Sequence, residues 1–207
     1  MAQNENQRLN WASVPPRDWA EEQAHRIALE VKRLRGRRSA QWLSDRTNEL
    51  ELGISRAVIS DLETGRRRYV TTSEVIALAR ALNTAPIALI YPPPYDAAVK
   101  IIPNMSNDAA EILAVQWFSG ILNEQETRSL LGGDLEELQG NLASLQSARE
   151  LWELRQRLAD LFRVRQSSRD AELTTVVDAT IVDLQKKLEE KEAFAELEKT
   201  LRDARGG

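Results

Sequence analysis

The chain has 207 residues, 42% of them hydrophobic and 29% charged, with a formal net charge of -4, one histidine and no cysteine. The absence of cysteine excludes disulfides, thiolate metal sites and a cysteine nucleophile, and His25 alone cannot supply a zinc cluster or a two-histidine relay. No apolar run approaches the roughly 18 to 20 residues of a membrane span, and the opening MAQNENQRLN is too polar for a signal-peptide core, so the sequence reads as that of a cytoplasmic protein with no membrane partner.

Charge is partitioned unevenly. Residues 26–90 hold 12 Lys/Arg against 7 Asp/Glu, residues 91–207 hold 14 against 21, and residues 1–25 hold 2 against 4. A locally basic segment inside an acidic chain points to a module that binds a polyanion.

Residues 1–18, with Pro15-Pro16 and many Asn and Gln, read as a polar, flexible N-terminal arm on which Trp11 is the one residue suited to docking. Residues 19–90 divide into five short helices. Ile27, Val31 and Leu34 give a first amphipathic helix that Gly36 stops. Ser39 caps a second, carrying Trp42 and Leu43. Ser55 caps a third, with Val58, Ile59 and Leu62 on its buried face and Gly65 at its end. Thr72 or Ser73 opens a fourth, and Pro86 stands in the first turn of a fifth. Residues 91–104, YPPPYDAAVKIIPN, read as a proline-stiffened linker, a plainer reading than a PPxY motif for a WW domain.

The remaining residues, 105–207, read as a helical oligomerisation or effector domain. Two shorter helices are predicted over 108–122 and 123–133. No glycine or proline occurs from Asn141 to Arg205, and long helices are predicted at about 134–165 and 171–204. Leu135, Leu138, Leu142, Leu145 and Trp152 have heptad spacing, and the register slips at Leu151, Leu154, Leu158 and Leu161. Leu173, Val177, Ile181, Leu184, Leu188, Leu197 and Leu201 form the stripe of the last helix. The two helices predict an antiparallel hairpin, a homodimer seam, or both. Trp42, Trp117 and Trp152 are expected in the core. The fold class expected is all-α.

The pattern of residues 39–90 carries the functional signal. Ser39-Ala40-Gln41 with Leu43-Ser44, Gly53-Ile54-Ser55, Ile59, Leu62-Glu63-Thr64-Gly65, Leu78-Ala79, Ala81-Leu82-Asn83 and Ile87 resemble the Cro- and cI-like helix-turn-helix family, also called XRE-type regulators. The resemblance covers about a third of the chain and implies a five-helix lambda-repressor-like domain that binds a double-stranded DNA operator. The stretch from Leu43 to Gly53 is longer than the compact family pattern, so helix two or the turn must be extended.

On a helical wheel, Val58, Ile59 and Leu62 cluster on one side of the third helix, and Arg56, Ala57, Ser60, Asp61 and Thr64 on the other. A short polar face suits the major groove. Arg56 can bind guanine in bidentate fashion, the Ala57 methyl can touch thymine, Ser60 can contact either partner and Asp61 can accept from cytosine. Asp61 can instead pair with Arg56 or Arg68. The resemblance implies that these outward positions read bases. Expected phosphate contacts are Arg37, Arg38, Ser39, Gln41, Ser55, Arg66, Arg67 and Arg68, with helix N-termini adding donors. Five to seven engaged cations imply that log K falls with log salt at a slope of roughly -5 to -6.

The reading is therefore a sequence-specific transcriptional regulator, a repressor of phage-immunity or plasmid type, without cofactor or metal and not an enzyme. The alternative is a helical interaction module, an antitoxin or adaptor, whose acidic tail binds a protein partner and whose DNA binding is autoregulatory. A self-cleaving repressor is disfavoured, since the sequence lacks Ala-Gly and Cys-Gly and its second half reads as helix. Residues 105–133 show no recognisable ligand pocket.

Overall fold

A computed structural model describes residues 10–103, 108–121, 124–131 and 134–205. Its fold is all-α, with one two-stranded ribbon as the exception among the described residues. The chain divides into two compact units, Met1–Gly132 and Gly133–Gly207.

In the first unit, five helices follow one another: α1 (Trp19–Arg35), α2 (Ala40–Glu49), α3 (Arg56–Thr64), α4 (Thr72–Leu82) and α5 (Pro86–Ile90). Their ends are chemically marked. Asp18, Ser39, Ser55 and Thr71 each accept a hydrogen bond from a backbone N–H of the first turn, satisfying donors that a helix start otherwise leaves open. Thr71 and Glu74 complete a reciprocal capping box, so α4 opens at Thr72, one of the two predicted openers, with Thr71 as its cap. Gly65 takes φ +83° at the end of α3, donating to the carbonyls of Asp61 and Leu62. The faces between these caps close one core of Ile27, Val31, Leu43, Ile54, Ile59, Leu62, Val75, Leu78 and Leu89, and Trp42 packs partly against it. Each fully buried aliphatic side chain contributes about 1.5 to 3 kcal/mol.

The extended connection between α2 and α3 has a specific cause. Leu52 N–H bonds the Thr47 carbonyl at 2.8 Å, and Glu51 and Gly53 adopt positive φ. Buried Ser44 Oγ donates to the Ile54 carbonyl at 2.9 Å, and Thr47 Oγ1 accepts from Ile54 N at 3.1 Å. Two hydroxyls thus satisfy the backbone of a longer turn, which lets Ile54 enter the core.

Residues 91–103, the described part of the predicted linker, are packed against the helices rather than forming a free spacer. Tyr91, Val99 and Ile101 are buried with Ala109 and Ala114, alongside Ile87 and Ile90 of α5. A short antiparallel ribbon, β1 (Ala98–Val99) with β2 (Ala109–Ala110), leads into α6 (Glu111–Phe118), and α7 (Glu124–Leu131) follows. Trp19 Nε1 donates to the Lys100 carbonyl at 3.1 Å, and Arg26 lies 3.7 Å from the buried carboxylate of Glu111. Burial pushes the Glu111 carboxyl above its ordinary range, against the lowering effect of Arg26. Prolines here rigidify a segment whose intervening apolar residues find a surface. Trp117 packs partly against this second cluster.

Residues 10–18 are also docked, which corrects the flexible-arm reading for the part of it that is described; residues 1–9 lie outside the described residues. Trp11 N–H and Nε1 donate to the carbonyls of Thr64 and Leu62 at 3.0 and 2.9 Å. A Cβ on Gly65 would stand 2.6 Å from Trp11 N, so glycine is required there for space as well as for φ. His25 stacks on Trp11 at 4.6 Å between ring centroids, and the Arg68 guanidinium lies 4.4 Å from the Trp11 ring centroid. Burial, and secondarily Arg68, lower the His25 pKa below its ordinary 6.5. The unfolded chain then binds more protons than the folded chain as pH falls through that range, so stability present above it is lost below it. The wild-type melting temperature should fall between about pH 7.5 and pH 5.5, and His25→Gln should flatten that slope, as differential scanning calorimetry would show.

The second unit is a helical hairpin, α8 (Leu135–Ser167) and α9 (Ala171–Arg205). Leu158, Val177 and Ile181 are buried between the helices, with Leu161, Leu184 and Leu188 packed against them. Arg155 pairs with Glu192 at 2.6 Å, Arg165 with Asp178 and Lys191 with Glu150, fixing an antiparallel register. Trp152, expected in the core, is 62% exposed, and Leu173, Leu197 and Leu201 lie off the seam. Two helices can bury only one face of each against the other. No helix among the described residues is long and apolar enough to cross a membrane.

Candidate nucleic-acid interface

The third helix presents two chemically distinct faces. Ile59 and Leu62 are 1% and 2% exposed, and Val58 is half-buried against the same core. Arg56, Ala57 and Thr64 are exposed, and Ser60 and Asp61 half-exposed. The core therefore holds α3 by one stripe and leaves outward the residues that sequence reasoning assigned to bases. Arg56 stands in the first turn without a hydrogen-bond or ion-pair partner among the described residues, its guanidinium available to a bidentate acceptor. Asp61 pairs with Arg66 at 2.8 Å rather than with Arg56 or Arg68, so a base contact by Asp61 has to compete with that arginine. The Thr64 hydroxyl donates to the Ser60 carbonyl, and Ser60, half-exposed, lies on the side of α3 opposite the buried stripe.

Six of the eight expected phosphate contacts separate into three groups. Arg37 is exposed and unpaired among the described residues, and Arg66 is about half exposed in its pair with Asp61. Ser39 and Ser55 use their oxygen as acceptor from Trp42 N and Val58 N, which leaves each O–H as a donor at a helix N-terminus. Gln41 and Arg38 are exposed but engaged. Gln41 Nε2 donates to Asp45 at 2.7 Å, and Arg38 donates to the carbonyls of Arg35 and Leu34 at the end of α1 while lying 3.9 Å from the Trp42 ring centroid.

Arg67 and Arg68 have internal roles, contrary to expectation. Arg67 binds Glu74 through two nitrogens at 2.5 and 2.9 Å, tying the end of α3 to the start of α4. The Glu74 carboxyl, despite its burial, is held below its ordinary range by Arg67 and by the bonds from Thr71. Arg68 is buried, donating to Glu21 at 2.9 Å and to the Val14 and Pro15 carbonyls. Its side chain is thus turned away from any external anion. Glu21 also accepts from Arg17, and these cations hold its carboxyl at about 2 against the opposing effect of burial. Only the third member of RRR is a core cation, and a charge run cannot announce that, because the acceptors come from residues 14–21.

Two further residues matter to this surface. Glu63 on α3 forms a bidentate pair with Arg35 of α1 at 2.7 and 2.8 Å, both largely buried, which fixes how α3 is seated. Tyr69 is 63% exposed, with the Arg67 guanidinium 4.2 Å from its ring centroid, and offers a phenol beside the end of α3. The sequence signal for the first was an acidic residue next to the buried Leu62, and for the second an aromatic directly after the arginine run.

A family model described as Helix-turn-helix matches residues 49–89, from the last residue of α2 through α3 and α4 into α5. No curated protein and no solved structure matches the chain. The match falls on the helix with the exposed polar face and on the helices that seat it. The chain carries a DNA-binding helix-turn-helix domain of the Cro/cI-like, XRE-type family.

Proposed function

We propose that the protein is a sequence-specific repressor that reads the major groove with α3 and binds its operator as a homodimer joined through the C-terminal helices. The observation that carries the reading is the outward face of α3, on which Arg56, Ala57, Ser60 and Thr64 are short or donor-bearing while the opposite face is fixed in the core. Arg56, Ala57, Ser60 and, in competition with Arg66, Asp61 contact bases. Arg37, Arg66, Ser39 and Ser55 contact phosphates, with Arg38 and Gln41 at the edge of the same surface. A repressor of phage-immunity type suits this plan, since occupying an operator needs no catalytic group and no cofactor.

Selection of bound sequences from random double-stranded DNA tests this reading. The expected product is an inverted repeat with half-sites about 34 to 36 Å apart, one helical turn. No enrichment, together with a stoichiometric protein partner on purification from the native host, would replace it with the interaction-module reading.

The internal roles of Arg67 and Arg68 change the expected electrostatics. With about four cations per chain left to face DNA, Arg37, Arg38, Arg56 and Arg66, log K for one chain should fall with log salt at a slope of roughly -3 to -4. Fluorescence-anisotropy titrations across a salt series on a single half-site would measure it. A slope near -6 would mean that the internal arginines are released on binding.

A further inference from the structure

Helix α3 is nine residues long, too short to be stable alone, so its ends depend on what the rest of the chain supplies. Ser55 caps its first turn locally, and at its other end the N–H groups of Gly65 and Arg67 donate to the Asp61 carbonyl. Two more carbonyls of the last turn are served from the far side of the sequence. Trp11 Nε1 donates to Leu62 at 2.9 Å and Trp11 N–H to Thr64 at 3.0 Å.

The segment that delivers Trp11 is built to hold it. Asn10 Oδ1 accepts from the N–H groups of Ala12 and Ser13 at 2.9 and 2.8 Å, closing a turn that contains Trp11. Pro15 and Pro16 restrict the backbone that follows, Arg68 donates to the Val14 and Pro15 carbonyls, and Asp18 caps α1. Residues 10–18 are therefore a strap anchored at both ends, from the last turn of α3 to the first of α1. The other anchors of α3, namely Ile59, Leu62 and the Glu63–Arg35 pair, act through side chains, whereas Trp11 grips the backbone of its final turn.

We propose that Trp11 is a positioning residue for operator recognition: it fixes the last turn of α3, and with it Ser60, Asp61 and Thr64, at the angle at which their base pairs are read. The proposal rests on the base-reading role of α3 set out above and adds a residue that acts on DNA only through the helix. Its effect is local. Arg56 and Thr64 are about 12 Å apart along the helix, so loosening the last turn disturbs the base pairs at one end of each half-site and spares those at the other.

Selection of bound sequences from random double-stranded DNA is run with the full-length wild type, Trp11→Phe, Arg56→Ala, Ser60→Ala and Asp61→Ala. Trp11→Phe keeps an aromatic ring beside His25 and Arg68 and keeps the backbone N–H to Thr64, and removes the Nε1 donor to Leu62. Operator affinity should fall about three- to tenfold while affinity for non-specific duplex stays within about twofold. Preference should relax at the base pairs that Ser60→Ala or Asp61→Ala also relaxes, and persist at the pair that Arg56→Ala relaxes. A purely structural role lowers the folded fraction and cannot change which bases are preferred. An equal loss at every sequence with the wild-type preference, or no loss, overturns the positioning role. No enrichment by the wild type overturns the base-reading role on which the proposal rests, and amide exchange then decides the strap. In Trp11→Phe the Gly65 and Arg67 N–H groups should exchange at least about tenfold faster than in wild type, with Val31 of α1 unchanged. Equal rates overturn the strap.

Discussion

Replacing Arg68 with alanine should destabilise the N-terminal unit by about 3 kcal/mol and leave the salt dependence of DNA binding unchanged. Removing one partner of a buried ion pair typically costs about 3 to 5 kcal/mol, because the remaining charge stays buried without compensation. The lower end applies because Glu21 keeps Arg17, whose own side chain is largely exposed. The carbonyls of Val14 and Pro15 lose their donor at the same time, and Trp11 loses the cation over its ring. Denaturant unfolding followed by tryptophan fluorescence would measure the loss. Arg66→Ala should do the reverse, reducing the slope against log salt by about one with little change in stability. An unaltered unfolding midpoint in Arg68→Ala with a shallower salt slope would return that residue to the phosphate set.

Arg56→Ala should weaken binding to the selected operator by about 1 to 3 kcal/mol per half-site, roughly 5- to 150-fold, and relax preference at one base pair of each half-site. Its exposed guanidinium makes no hydrogen bond or ion pair with a described residue, so the folded chain should retain its melting temperature within about 1 °C. Non-specific affinity should fall far less, since that complex loses only one cation of about four, whereas the specific complex also loses a base contact. Repeating the selection with the variant separates the effects. A site preference identical to wild type would move base recognition away from the first turn of α3.

Much of this was legible along the chain because the chemistry is local. Ser39, Ser55, Gly36, Gly65 and Pro86 mark helix ends through their own backbone preferences, and the spacing of Ile59 and Leu62 places Arg56, Ala57 and Ser60 outward whatever α3 packs against. The long helices were equally legible, since an uninterrupted run without glycine or proline leaves little else to form.

Tertiary structure decided which charges face outward and which apolar stripes are covered. Arg66, Arg67 and Arg68 are identical in sequence terms, yet one is about half exposed beside Asp61, one bridges α3 to α4 through Glu74, and one is buried against Glu21. Residues 91–103 carried the prolines of a linker, but Tyr91, Val99 and Ile101 found a partner surface in α5 and α6. On α8, heptad spacing predicted one stripe with a slipped register, and packing against α9 took only the residues after the slip. Periodicity and caps are set by neighbours within about four residues, so the sequence alone determined the helices and the polar face of α3. The worth of an ion pair or an apolar stripe depends on groups brought together from distant positions, so only the folded chain could assign them.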